Sequence, residues 1–269
     1  KTTIQNPERQ TLIGDDYATA STAVDSLISI RLRQNNRYEW VRAMSYKAEL
    51  LRRIVALDLA IEVINEAEPY AKQLEPSTVK SVFYNRKAAI LYELKQQDAA
   101  LDAVKESQRI DSIAGLSWQS LSNLNIEGSI YRDRKEFKKA QEVLRKSSAF
   151  AMSKLDTVQY CSHLYNLALS FYRQGNYDSA VIYGKIIPQY RNVIENEFLI
   201  DEAFRLVATS YRDLGKYDSA YRYLDSAHIN SLRRMESIIE SKVGTFKERN
   251  ELEKSYLKKT TTPKELLES

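Results

Sequence analysis

Apolar residues return at helical spacing in one segment of this chain after another. Tyr17, Ala20, Val24, Leu27 and Ile28 share one face, which predicts a first helix. Asn35 and Asn36 break it. From Tyr38 the segments come in pairs. The leading helices are predicted over 38–53, 78–94, 117–134, 157–174 and 197–214. The trailing helices are predicted over 56–73, 97–110, 137–152, 177–190 and 217–231. Polar or proline-bearing links fall between pairs at 74–77, 111–115, 154–156 and 192–196. Pro69 and Pro188 stand near the ends of trailing helices and are expected to shorten or bend them. Residues 1–16 are polar and irregular, with Pro7 and Gly14. After Ser231 the seam Leu232, Met235, Ile239 and Phe246 is heptad-like and then lost. It predicts a capping helix on the last pair, with a coiled-coil stub as the other reading.

The pairs are copies of one unit. Gly175-Asn176-Tyr177-Asp178-Ser179-Ala180 returns as Gly215-Lys216-Tyr217-Asp218-Ser219-Ala220, 40 residues on. Stepping by 40 from Ala20 meets Ala60, Ala100, Ala140, Ala180 and Ala220. A second small-residue series, Ala48, Ala88, Gly128, Ala168 and Ala208, runs 12 residues ahead of the last five alanines. Small residues in fixed phase let two helices of a hairpin cross at close range. Gly175 and Gly215 suit the turn, where a left-handed residue commonly ends a helix. Asp178 and Asp218 then meet the positive end of the following helix dipole.

This unit resembles the tetratricopeptide repeat (TPR), a helix–turn–helix motif. The matching residues are Leu164, Leu167, Ala168, Phe171, Gly175, Tyr177 and Ala180, and then Phe204, Val207, Ala208, Tyr211, Gly215, Tyr217 and Ala220. Earlier units keep Leu124, Gly128, Tyr131, Phe137 and Ala140; Tyr84, Ala88, Leu91 and Ala100; and Ala48, Leu51 and Ala60. Lys135, Lys95 and Val55 replace the turn glycine in these three. The period of 40 exceeds the usual length of about 34 residues, so longer helices or links are expected. The resemblance is to a bacterial TPR-containing protein. It implies an all-α, right-handed α-solenoid of helix–turn–helix repeats with a C-terminal capping or coiled-coil helix. The implied organisation is a tail and capping helix over 1–36, five TPR-like hairpins over 37–231, and a C-terminal helix and tail over 232–269.

Composition agrees with helices. There are only 7 glycines and 5 prolines in 269 residues, too few for a sheet-and-turn fold. The 40 basic and 36 acidic residues leave a net charge of +4 and are interleaved, so no nucleic-acid footprint is indicated. No apolar run approaches a membrane span. Cys161 is the single cysteine, so no internal disulfide can form. The chain begins at Lys1 rather than methionine, which is read as a removed or omitted N-terminal segment. An extracytoplasmic location, periplasmic or surface, is favoured over a cytoplasmic one on that ground.

Candidate chemistry is sparse. His163 and His228 are far apart in sequence, Cys161 and His163 point to different sides of a helix, and Asp225 with His228 makes only two ligands. Seven scattered glycines build no phosphate loop. Asp15-Asp16 and Asp201-Glu202 fall where helices begin, as the dipole favours. No enzyme, cofactor or metal site is expected. The informative series is Arg52, Tyr92, Arg132, Tyr172 and Arg212, each eight residues before an alanine of the array. Two turns back stand Asn85, Asn125, Tyr165 and Arg205. In the resemblance this side of the leading helices lines a concave, peptide-holding groove. Arginine and tyrosine are residue types that carry much of an interface's energy. The Lys/Asn set that clamps a C-terminal carboxylate in some members is absent in that arrangement. The expected function is a protein- or peptide-binding scaffold, the input or interaction region of a larger bacterial regulatory protein. The alternative is a surface lipoprotein that binds a small ligand or glycan. Partner identity and oligomeric state are not encoded in any motif.

Overall fold

The computed structural model describes residues 14–33, 36–116, 120–194, 196–236 and 239. The sequence expectations for residues 1–13 and for Phe246 lie outside them. Every regular element among the described residues is helical. The helices are α1 (Gly14–Arg33), α2 (Arg37–Arg53), α3 (Leu57–Gln73), α4 (Thr78–Glu93), α5 (Gln97–Ala114), α6 (Ser120–Asp133), α7 (Phe137–Ser153), α8 (Thr157–Arg173), α9 (Tyr177–Gly184) and α10 (Glu197–Asp213). A last helix, α11, covers 217–236, and Ile239 is helical as well. The chain divides into two compact units, Lys1–Gln174 and Gly175–Ser269.

In the first unit α2–α3, α4–α5 and α6–α7 are antiparallel hairpins stacked in chain order, with α1 packed on α2 and α8 on α7. In the second, α9 and the short 3-10 helix Ile187–Tyr190 pack on α10. α3, α5 and α7 carry the amphipathic stripe that hairpin packing needs, as do α2, α8 and α10. Local chemistry sets their ends. Leading helices open on a side-chain cap: Asn36, Ser77, Asp156 and Asn196 accept from the N–H of Glu39, Lys80, Gln159 and Leu199. Each cap satisfies one orphan donor of the first turn. α2, α4, α6 and α10 then end in the same turn. The N–H of Val55 reaches the carbonyl of Arg52 (3.0 Å), and that of Ala56 reaches Leu51 (2.9 Å). Lys95–Gln96, Lys135–Glu136 and Gly215–Lys216 repeat the pair of bonds. This Schellman closure needs a left-handed residue. Val55, Lys95 and Lys135 adopt it without being glycine, with φ of 62°, 64° and 64°.

The small-residue register locates the core. Ala48, Ala60, Ala88, Ala100, Ala140, Ala168 and Ala180 are fully enclosed, Ala208 is buried, and Ala220 in the last helix is half-buried. Gly128 shows why the position stays small: a Cβ there would lie 2.6 Å from Cγ of Leu144 across the α6–α7 hairpin. Around Ala48 and Ala60, the residues Trp40, Val41, Met44, Ile64, Phe83, Ile90 and Ile110 form one apolar cluster.

Three expectations need correction. α3 runs through Pro69 to Gln73 without stopping, whereas α9 ends at Gly184 ahead of Pro188. Pro69 falls only four residues before the helix end and is exposed, so its missing N–H and its ring disturb little. α5 extends four residues past its predicted end, to Ala114, where Gly115 supplies the left-handed turn at φ 69°. Finally, Leu232, Met235 and Ile239 do not pack as a cap; they are 45%, 55% and 58% exposed.

Candidate functional site

The leading helices of the first unit, α2, α4, α6 and α8, lie side by side. Positions in equal phase therefore line up across one face. A cleft of about 370 Å³ opens on this face. Its walls are Arg42, Ser45 and Tyr46 from α2, Val82, Asn85 and Arg86 from α4, Ser122 from α6, and Asp156 with Gln159 at the start of α8. The guanidinium of Arg86 sits 4.5 Å from the ring centroid of Tyr46. Arg42 pairs with Glu39 at 2.6 Å and stays half exposed.

The polar wall is anchored from beneath. Asn85 Nδ2 donates to Asn123 Oδ1 (2.8 Å) and Ser122 Oγ donates to Asn85 Oδ1 (3.1 Å). The buried Asn123 in turn donates to Ser107 Oγ (2.9 Å) and Asp111 Oδ2 (3.0 Å). Ser81 Oγ donates to the other oxygen of Asp111, and Ser107 Oγ donates to the carbonyl of Ser81 (2.9 Å). A carboxylate as enclosed as Asp111 needs such donors, because an unpaired buried charge is costly. The network ties α4, α5 and α6 together and fixes the orientation of the Asn85 amide.

The series Arg52, Tyr92 and Arg132 is laced from helix to helix. Arg52 binds Glu49 through Nε (2.8 Å) and Nη2 (2.9 Å), and its Nη1 reaches Glu93 on α4. Burial opposes charge on Glu49, but the guanidinium groups of Arg52, Arg53 and Arg86 outweigh it and hold the carboxyl at about 2. Tyr92 Oη donates to Asp133 Oδ2 (2.7 Å) and accepts from Arg132 Nη2 (2.9 Å). Burial, with the Asp133 carboxylate and against the Arg132 charge, raises the Tyr92 phenol to about 12. Arg132 continues to Asn166 Oδ1 (2.6 Å) on α8. Asn166 Nδ2 donates to Asn125 Oδ1 (2.7 Å), and Asn125 Nδ2 donates to Ser162 Oγ (2.9 Å). A groove-lining series would keep its polar ends in solvent. Arg132 instead is 8% exposed, because its guanidinium is spent between α4 and α8.

Of the sequence-predicted residues, Arg52, Tyr92, Arg132, Asn85 and Asn125 thus join one hydrogen-bonded face. Tyr165 and Tyr172 are half-buried on α8. Arg205 and Arg212 belong to the second unit, are exposed, and face Asp201 (3.3 Å) and Asp213 (2.8 Å). Sequence reasoning missed Arg42, Tyr46, Arg86, Ser122 and Gln159. The signal was present: Tyr46 and Arg86 share a phase, as do Arg42, Val82 and Ser122. Of the residues weighed for other chemistry, His163 is enclosed, with Nδ1 3.0 Å from Ser147 Oγ, and burial lowers its imidazole to about 4. Burial likewise raises the Cys161 thiol to about 11. Among the described residues no group of three or more His, Cys, Asp or Glu side chains could hold a metal ion. None of the described helices is long and apolar enough to cross a membrane.

A stack of helical hairpins with one polar face is a repeat scaffold. Its fold is the TPR-like helical repeat, and solved structures at low identity share it. BtubC (BKLC) from P. vanneervenii superposes with a TM-score of 0.65 at 19% identity, covering 86% of this chain and 92% of that one. Aspartyl phosphate phosphatase F from Bacillus subtilis gives 0.63 at 19% identity, over 86% of this chain and 58% of that one. A Podosopora anserina putative kinesin light chain with nearly identical TPR-like repeats gives 0.58 at 14% identity, over 73% and 96%. No protein-family model and no curated protein sequence matches the chain.

Proposed function

We propose that this chain is a protein- or peptide-binding scaffold, and that the cleft on the leading helices of its first unit is where the partner docks. The observation that carries this reading is the make-up of the cleft. Four helices contribute, amide and hydroxyl groups of Asn85, Ser122 and Gln159 line it, and the Arg86 guanidinium lies over the Tyr46 ring. An extended peptide presents a carbonyl or N–H at every residue, which such groups can bind. Arg42 and Arg86 favour carbonyl-rich or acidic side chains, and Asp156 at the far wall favours a basic one. The finer reading is that the scaffold serves a larger bacterial regulatory protein. The fold likeness to aspartyl phosphate phosphatase F supports it by analogy alone.

The test is a displayed library of random peptides selected on the whole chain, then re-measured on Tyr46→Ala and Arg86→Ala. Selected peptides should lose roughly fivefold or more in affinity on each variant, since interface anchors exceed about 1 kcal/mol. Peptides that bind both variants as well as the parent would place the site elsewhere. Failure to select any peptide would remove the peptide-binding reading.

A further inference from the structure

The last helix carries an apolar stripe that stands largely in solvent. Tyr217, Tyr221, Leu224, Leu232, Met235 and Ile239 are between 45% and 72% exposed, and His228, also exposed, fills the one gap in the series. In earlier repeats the matching central positions of the trailing helix are enclosed between neighbouring helices. Ile64, Val104 and Leu144, in phase with Leu224, are fully buried. Gly184, in the same phase, packs so close to α10 that a Cβ would lie 2.7 Å from Val207. Glu68 and Gln108, in phase with His228, bond Lys87 (2.6 Å) and Glu127 (3.0 Å) of the following leading helices. The centre of the α11 stripe, Leu224 and His228, thus stands open where the matching positions of earlier trailing helices are enclosed or bonded to a neighbouring helix.

The stripe itself identifies the occupant. Its steps are 4, 3, 4, 4, 3 and 4 residues, which read the same from either end with His228 at the centre. The six steps span 22 residues, close to the helical period of 3.6, so the stripe stays on one side of a straight helix. A second helix laid antiparallel about a two-fold axis would set Tyr217 against Ile239, Tyr221 against Met235, Leu224 against Leu232 and His228 against its copy. The charges beside the stripe follow the same symmetry. Arg222 would face Glu236, Asp225 would face Arg233, and the exposed Ile229 would face itself. Opposite charges thus meet along one flank of the pair, each contact made twice by the two-fold.

We infer that α11 is a homodimerisation surface, on which a second copy of this chain seats its own α11 antiparallel. The inference is independent of the cleft on the first unit. It is tested on the whole chain by light scattering after size exclusion, across the micromolar range. The parent should dissociate from dimer to monomer on dilution. Leu224→Glu should remain monomeric at concentrations where the parent is dimeric, with an unchanged Tm of the folded monomer. Arg222→Glu should raise the dimer dissociation constant roughly tenfold, as loss of a close interfacial charge pair does. Adding Glu236→Arg to it should restore the parental value, because each new charge meets its opposite on the copy. His228→Cys should form a disulfide-linked dimer on mild oxidation, while Asp218→Cys should not. A parent that stays monomeric, or a charge swap that fails to rescue, overturns the proposal. So does a monomer in which the α11 stripe is protected from hydrogen exchange, since that would show the chain covering its own surface.

Discussion

Single residues carry strain where the repeat demands a conformation that its side chain resists. Val55 is β-branched, 73% exposed and left-handed, so its side chain gains little from packing while its backbone is disfavoured. Val55→Gly should raise stability by about 1 kcal/mol in urea unfolding, the usual order of the left-handed penalty. Lys95→Gly and Lys135→Gly should gain less than Val55→Gly, because neither is branched at Cβ. A loss of stability at all three would show that the turn is set by something other than backbone preference. His163 makes the opposite kind of statement. Burial keeps its imidazole neutral down to about 4, whereas an unfolded chain protonates near 6.5. The unfolded state thus binds the extra proton first. This contribution is complete above about pH 6.5 and fades as pH falls towards 4. Between pH 7 and 5 it should cost on the order of 2 kcal/mol, and His163→Gln should flatten that part of the stability profile. An equally steep profile in the variant would refute the assignment.

At the scale of elements, the hairpin crossings were legible in the sequence and the helix ends less so. Ala48, Ala88, Gly128 and Ala168 announce themselves because close backbones exclude larger side chains at any one of them. The length of α9 depends on Pro188, which a helical pattern alone would run through. Gly128 offers a sharp test of the crossing. In a helix, glycine to alanine ordinarily gains up to about 1 kcal/mol. Here the added methyl would meet Leu144 at 2.6 Å, and overpacking costs about 1–3 kcal/mol. Gly128→Ala should therefore destabilise the parent. In a Leu144→Ala background, where room exists, the same substitution should be neutral or stabilising. Additive effects across this double-mutant cycle would mean that the two side chains do not share one space.

Across the whole molecule, phase told the sequence reader which residues share a face, but not what they do with it. Arg132 and Asn125 make hydrogen bonds to residues 34 to 41 positions away, and that pairing is invisible within one helix. The same limit applies to α11: an apolar stripe foretells a contact without naming the surface that makes it. Because repeats contact chiefly their neighbours, damage should stay local. Hydrogen exchange on Leu144→Ala should quicken in α6 and α7 well before α10. Uniform quickening would show cooperativity across the full chain instead. The laced face of the first unit has a mechanical consequence too. Hydrogen bonds weaken steeply with distance and misalignment. Arg52 to Glu93, Tyr92 to Asp133, Asn85 to Asn123, and Arg132 to Asn166 all cross between leading helices on one side of the stack. Flexing that spreads this side must break them together. The face thus acts as a clasp: it should hold its shape under small loads and let go as a group under large ones.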